Sequence, residues 1–451
     1  MKRLIAACLL GGAALSACET TTSSPVVAER PDPYGVDEAP LPEGPIEAPA
    51  PRRIYDEDAY LTPPHMTSRA PVRVGLLLPF SAENEGVRKI AAALFDAAQL
   101  AVFDAGDDNL MLIPKDAKGT ADGARRAAEG ALEEGAEIIL GPLFSDGVEA
   151  AADIVRAAEK QMIAFSSDLS VAGEGVYLLS FPPEAEIARV TDYAILNGYF
   201  SFALLAPRND YGYRVGDAFA EEVYIRGAQL VAEERYEQDP QAMVEPAKRL
   251  ARYNQRSAAL RQERQALAAQ GELEVAQRAL DALENRETYG DVPYDAVLVP
   301  EQGNMLRALA PLLPYYDVDI RKVKLLGTSL WNNPALAREP ALNGGWFAAP
   351  DPEASRAFRL RFAETFGYEA PRLASLAYDA GALAARLGRE APRSRFEPAD
   401  VLDQNGFLGV DGVFRFTEDG RIERGLAILE IRPSGIRVID PAPRSFLQVG
   451  F

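Results

Sequence analysis

Histidine and cysteine are almost missing from this 451-residue chain, which has one of the first and two of the second. A single histidine excludes chemistry built on several imidazoles, and two cysteines cannot make a Cys₄ zinc site. The lone histidine, His65, follows Pro63 and Pro64 in a proline-rich stretch and is not placed for catalysis. Basic residues are also outnumbered, 47 Lys and Arg against 67 Asp and Glu, a formal charge of −20. The basic footprint of a general nucleic-acid binder is therefore lacking. There is no Walker A loop, no Gly-x-Gly-x-x-Gly after the first strand and no Gly-x-Ser-x-Gly elbow. No acid pair stands out as a general acid and base. The expectation is a protein that is not an enzyme, with no catalytic residues, no metal and no cofactor.

What is present begins at the N-terminus. Lys2 and Arg3 precede an apolar run from Leu4 to Leu15, too short to span a bilayer as a helix. The run ends in Leu15-Ser16-Ala17-Cys18, which resembles a bacterial lipobox. Residues 1–17 then read as a signal peptide and Cys18 as the lipidated residue. Cys8 leaves with the signal, so no disulfide is expected. Glu19 after the lipidated position suggests the periplasmic face of the outer membrane. Residues 18–70 follow as a tether: ten prolines and scattered acids, with too little apolar surface to offset ordering entropy.

At Val72 the texture changes. Val72-Arg73-Val74-Gly75-Leu76-Leu77-Leu78 is a nearly continuous apolar run, as in a strand buried on both faces. Helical and strand patterns then alternate. Helices are predicted at Val87–Ala105, Ala121–Glu134 and Asp146–Glu159, and strands at Leu110–Ile113, Ala136–Leu140 and Met162–Phe165. A second series starts near Ala185, with Phe202–Leu205, Asp295–Val299 and Val323–Leu326 as strands. The pattern predicts an α/β fold of two doubly wound parallel-sheet lobes joined by a hinge. The first lobe is expected to take 72–184 and 328–408, the second 185–327 and 409–451.

One segment breaks the rhythm. Residues 245–287 are rich in Ala, Arg, Glu, Gln and Leu, with Gly271 as a natural break, and predict a helical hairpin inserted in the second lobe. Between Lys248 and Arg264 six bases (Lys248, Arg249, Arg252, Arg256, Arg261, Arg264) face one acid, Glu263. A solvated face is one reading of that run and a partner-docking surface the other.

Polar residues cluster after the predicted parallel strands, where ligands bind in open α/β sheets. Ser145 closes Gly141-Pro142-Leu143-Phe144-Ser145, Ser166 and Ser167 follow Phe165, Tyr211 lies in Asn209-Asp210-Tyr211-Gly212, and Glu301 follows Pro300. Singly, each could be a helix cap. Their order resembles the type I periplasmic binding fold of branched-chain amino-acid binding proteins, as do Pro300-Glu301-Gln302-Gly303 and Gly409-Val410-Asp411-Gly412-Val413-Phe414. That resemblance implies that Ser145, Ser166, Ser167, Tyr211 and Glu301 line a cleft for a small amino-acid-like ligand. Glu301 would meet an ammonium group and the hydroxyls and turn amides a carboxylate.

Within that superfamily the chain also resembles lipoproteins that activate penicillin-binding proteins. The likeness rests on the lipobox with its long tether, the Arg/Ala-rich insertion, Leu313-Pro314-Tyr315-Tyr316, Gly327-Thr328-Ser329-Leu330-Trp331 and Gly344-Gly345-Trp346-Phe347. It implies a lipid-anchored regulator that contacts a peptidoglycan synthase through the hairpin bases. The competing expectation is the substrate-binding lipoprotein of an ABC-type amino-acid uptake system.

Overall fold

A computed structural model of the chain describes residues 71–106, 109–271, 273–391 and 395–446. All lie in one of two compact units, Tyr55–Phe451. The lipidation residue Cys18, the signal peptide and the tether expected over 18–70 lie outside the described residues.

Strand β1 (Val72–Leu78) is buried along its whole length because its two faces meet different helix layers. Val74, Leu76 and Leu78 pack in one cluster with the helices Glu85–Ala105 and Ala374–Leu387. Leu77 packs in the other, with the helices Ala121–Glu133 and Ser145–Ala157. Burying each such leucine contributes about 1.5–3 kcal/mol. β1 stands between β2 (Leu110–Asp116) and β3 (Ile138–Leu140), and β4 (Gln161–Ala164) and β5 (Val176–Leu178) complete a sheet of order β2-β1-β3-β4-β5. Its pairings are parallel.

The chain crosses to a second sheet before the helix Pro183–Leu196. Strands β6 (Ser201–Pro207), β7 (Gln229–Tyr236), β8 (Ala296–Leu298), β9 (Lys324–Gly327) and β10 (Trp346–Ala349) belong to it. After a return through the helices Arg356–Phe366 and Ala374–Leu387 comes a small antiparallel sheet of β11 (Phe407–Gly409), β12 (Gly412–Phe416) and β13 (Ile422–Arg424). The closing pair β14 (Ala427–Arg432) and β15 (Gly435–Asp440) rejoins the second sheet, whose order is β15-β14-β10-β9-β8-β6-β7.

Both later lobe boundaries differ from the sequence expectation. Residues 328–349, expected in the first lobe, belong to the second. β10 is an interior strand paired with β9 and β14, and Trp331, Leu336 and Phe347 fill the second core. Residues 409–424, expected in the second lobe, pack with the first, where Phe414, Phe416 and Ile422 join the cluster around Leu76. Long-range strand order decides the first and the packing of a locally paired sheet the second, and apolar periodicity carries no record of either.

The insertion also divides differently. Helix Val244–Leu250 packs against β7 as part of the lobe body, with Ala247 and Leu250 buried. The hairpin proper is Tyr253–Ala268 and Glu274–Leu283, seamed by Leu260, Ala276 and Leu283, with Gly271 at φ +69° in the turn. No helix among the described residues is long and apolar enough to cross a membrane.

Candidate ligand cleft and hairpin surface

The first-lobe wall is made by turns after β3 and β4. Gly141 has φ +86°, and a Cβ there would lie 2.3 Å from the Leu77 carbonyl oxygen, so only glycine fits. The turn delivers Ser145 to the first position of its helix rather than to the cap, which is Phe144. With no capping duty, the Ser145 hydroxyl lies near the Asp168 carboxyl and helps to favour its charged form. Ser166, buried, accepts the Asp168 amide at 3.1 Å on Oγ. Asp168 also accepts from the Ser170 amide (3.0 Å) and hydroxyl (2.7 Å), and these bonds hold its carboxyl below the usual carboxylate value. The Ser167 carbonyl accepts from Arg214 Nη2 at 2.9 Å, and the residue is exposed.

The second-lobe wall starts at the end of β6. Asn209 caps the helix Asp210–Ile225 by accepting from the Gly212 amide at 2.8 Å. A Cβ on Gly212 would sit 2.0 Å from the Pro207 carbonyl, which fixes glycine in that turn. Tyr211 thereby points its hydroxyl at Thr328 Oγ1, 2.9 Å away, just after β9. Burial raises the Tyr211 phenol well above its ordinary value, and the neighbouring carboxylates Glu186, Glu301 and Glu184 push it the same way. Glu301, buried, accepts from the Tyr236 hydroxyl at 2.9 Å on Oε2 and from the Gln302 amide at 3.0 Å on Oε1. The Tyr236 phenol is raised by burial first and by Glu301 second.

Sequence reasoning missed Glu186 and Arg214. Glu186 lies in the first turn of Pro183–Leu196, where an acid is fully explained by the helix dipole. Yet it is 5% exposed and accepts from the Ser329 amide at 2.8 Å. Burial pushes its carboxyl up to about 7, against the Ser329 bonds and the Arg372 charge that pull it down. Arg214 forms a forked pair with Glu184, Nε–Oε1 2.5 Å and Nη2–Oε2 2.9 Å, besides its bond to Ser167. Next to it opens a cavity of ≈ 390 Å³ lined by Ser167, Asp168, Leu169, Ser170 and Arg214.

The structure thus gathers Ser145 and Ser166 around Asp168 on one wall, and Tyr211, Glu301 and Glu186 on the other. At the hinge, Phe181 lies between two guanidiniums, Arg372 at 3.9 Å and Arg424 at 4.5 Å from its ring centre. Asp379 and Asp411 are buried beside them, and burial pushes the Asp379 carboxyl up to about 7. Among the described residues no group of three or more His, Cys, Asp or Glu could hold a metal ion.

The hairpin bases separate into two kinds. Arg256, expected on a docking surface, is 9% exposed and donates to the carbonyls of Ala251, Gly290 and Asp317. Arg264 donates to the carbonyls of Leu283, Glu284 and Arg286, capping the second hairpin helix. Arg249 pairs with Glu234 at 2.7 Å, and Lys248 lies 3.9 Å from Glu245. Arg252 and Arg261 are exposed. A long side chain beside unsatisfied helix-end carbonyls turns inward to satisfy them, which removes Arg256 and Arg264 from any outward surface.

The family described as periplasmic binding protein matches residues 71–252. Among curated proteins, none matches the sequence. Solved structures are similar over most of the chain. A protein of Rhodospirillum rubrum, described as a candidate branched-chain amino acid ABC transporter, is 17% identical with a TM-score of 0.63, over 82% of this chain and 100% of its own. A branched-chain amino acid ABC transporter periplasmic ligand-binding protein of Burkholderia xenovorans is 16% identical with a TM-score of 0.57, over 82% and 96%. An ABC transporter substrate-binding protein of Sphaerobacter thermophilus is 17% identical with a TM-score of 0.55, over 83% and 98%. At these identities the likeness is one of architecture, and the chain has the α/β type I periplasmic binding fold.

Proposed function

We propose that this chain is a non-enzymatic periplasmic binding protein that takes a small amine-bearing, amino-acid-like ligand between its lobes, as the substrate-binding component of an ABC-type uptake system. The observation that carries the reading is the placement of two nearly sequestered carboxylates, Glu186 and Glu301, around Tyr211 on one wall. A buried carboxylate wall favours a cation, because an ammonium group restores the charge balance that burial removes. Opposite it, the Ser145 and Ser166 turns supply hydroxyl and amide donors for a carboxylate, and Arg214 reaches across from the second lobe beside them. The substrate-binding names of the structurally similar proteins point the same way. The test is thermal stabilisation of the full chain against a panel of free amino acids and diamines, with Glu301→Gln alongside. A saturable shift abolished by Glu301→Gln is the expected result; no shift from any amine overturns the reading.

A second reading, contact activation of a penicillin-binding protein at the outer membrane through a Cys18 lipid anchor, draws on the hairpin. The cleft makes no use of it, and it presents Leu273 and Val275 at 61% and 79% exposure near its turn. Co-purification of a peptidoglycan synthase with the full chain, lost on deleting 253–283, is the result that reading requires. Mass spectrometry of the Cys18 peptide tests the anchor.

A further inference from the structure

β7 ends the second sheet, with β6 on one side and no strand on the other among the described residues. A groove of ≈ 590 Å³ is lined by Val231, Ala232, Glu233 and Glu234 together with residues of the 248–255 turn. Successive strand side chains point to opposite faces, so the consecutive residues Ala232, Glu233 and Glu234 lining one groove fit a groove that runs along the strand's open edge. The register slip at Val231 blunts the start of that edge, while Ala232–Tyr236 pair regularly with β6. That regular stretch spans about 17 Å.

The opposite wall carries Lys248, Arg249 and Arg252 and no acid. The carboxylates on the strand side are already engaged, Glu233 by Arg235 at 2.7 Å and Glu234 by Arg249 at 2.7 Å. Arg252 is exposed, has no ion pair among the described residues, and stands in the left-handed backbone region at φ +48°. Tyr253 adds an aromatic flank. Lys248 has only a loose 3.9 Å pairing with Glu245, and Arg249 is committed to Glu234, so Arg252 is the cation left to meet a guest; an open strand edge beside it fits an extended, acidic main chain.

We propose that the β7 edge is a docking site for an acidic, extended segment of a partner protein, added as the next strand of the second sheet and held by Arg252 and Lys248. The groove residues 231–234 and 248–255 are not among the cleft residues, although β7 also carries Tyr236, which donates to Glu301 on the cleft wall.

The test uses the full chain and three synthetic nine-residue peptides: one alternating glutamate and valine, its lysine–valine counterpart, and the acidic peptide N-methylated on alternate amides. Fluorescence anisotropy reads affinity, and amide hydrogen exchange reads the location. The acidic peptide is expected to bind at about 1 mM or tighter, to protect amides within 231–236, and to weaken about tenfold with Arg252→Glu. Both control peptides are expected to fail. Equal binding of the N-methylated peptide would reduce the effect to charge and overturn strand addition. Equal binding of the lysine peptide, protection elsewhere, or no binding also overturns the proposal. So does dimerisation of the free chain that occludes the same amides.

Discussion

Arg214, on a helix of the second lobe, donates to the backbone carbonyl of Ser167 on the first, 2.9 Å away, while Glu184 holds the guanidinium in a forked pair. The lobes are therefore bridged by a charge-assisted bond at the mouth of the cleft. Arg214→Ala is expected to shift the protein towards a more open arrangement, seen as a larger radius of gyration in solution scattering. Ligand affinity should weaken by up to tenfold, about 1.4 kcal/mol. An unchanged scattering curve would show that the bridge does not hold the lobes.

Buried carboxylates give the protein a signed pH dependence. Glu186 and Asp379 are both pushed up to about 7 by burial, from ordinary values of 4.5 and 3.8. In the folded state they hold their protons where the unfolded chain has released them. Each therefore costs stability as pH rises from its ordinary value to about 7, at up to about 1.4 kcal/mol per pH unit, and the cost stays constant above. Urea midpoints at pH 5 and pH 8 should show Glu186→Gln gaining on the unmodified protein at the higher pH by a few kcal/mol. The same difference at both pH values would contradict the assignment.

The two tyrosine bonds of the second wall should differ in strength. Tyr236 donates to the buried Glu301 carboxylate, whereas Tyr211 meets only the Thr328 hydroxyl. Tyr236→Phe removes a bond to a charged group, about 1.5–3 kcal/mol, and Tyr211→Phe a neutral one, about 0.5–1.5 kcal/mol. Chemical denaturation of the two variants checks the ranking.

Two arginines five residues apart separate staple from surface. Arg256→Ala leaves the carbonyls of Ala251, Gly290 and Asp317 without their donor in a largely buried place. It should cost about 2–4 kcal/mol. Arg261→Ala, on the exposed face, should stay within about 0.5 kcal/mol. Denaturation midpoints decide, and equal effects would refute the division.

The contrast shows what a sequence carries. β1 and the turns holding Ser145 and Tyr211 were legible because period, glycine and Asx chemistry act over a few residues. The exchange of 328–349 and 409–424 between lobes was not, since β10 is placed by partners about 20 and 80 residues away. Glu186 was hidden by a sufficient local explanation. Arg256 read as surface because the direction of a long side chain depends on which carbonyls the folded chain brings near it.

Tyr236–Glu301, Tyr211–Thr328 and Glu186–Ser329 each join residues of the second lobe. Opening the lobes leaves all three intact, so this half of the site keeps its shape whether or not a ligand is present. If the chain binds a ligand as proposed, capture would have a fixed order: a guest would land on the finished wall in a concentration-dependent step, and the first lobe would swing over in one that is not. Selectivity would then be exercised in the first step and retention in the second.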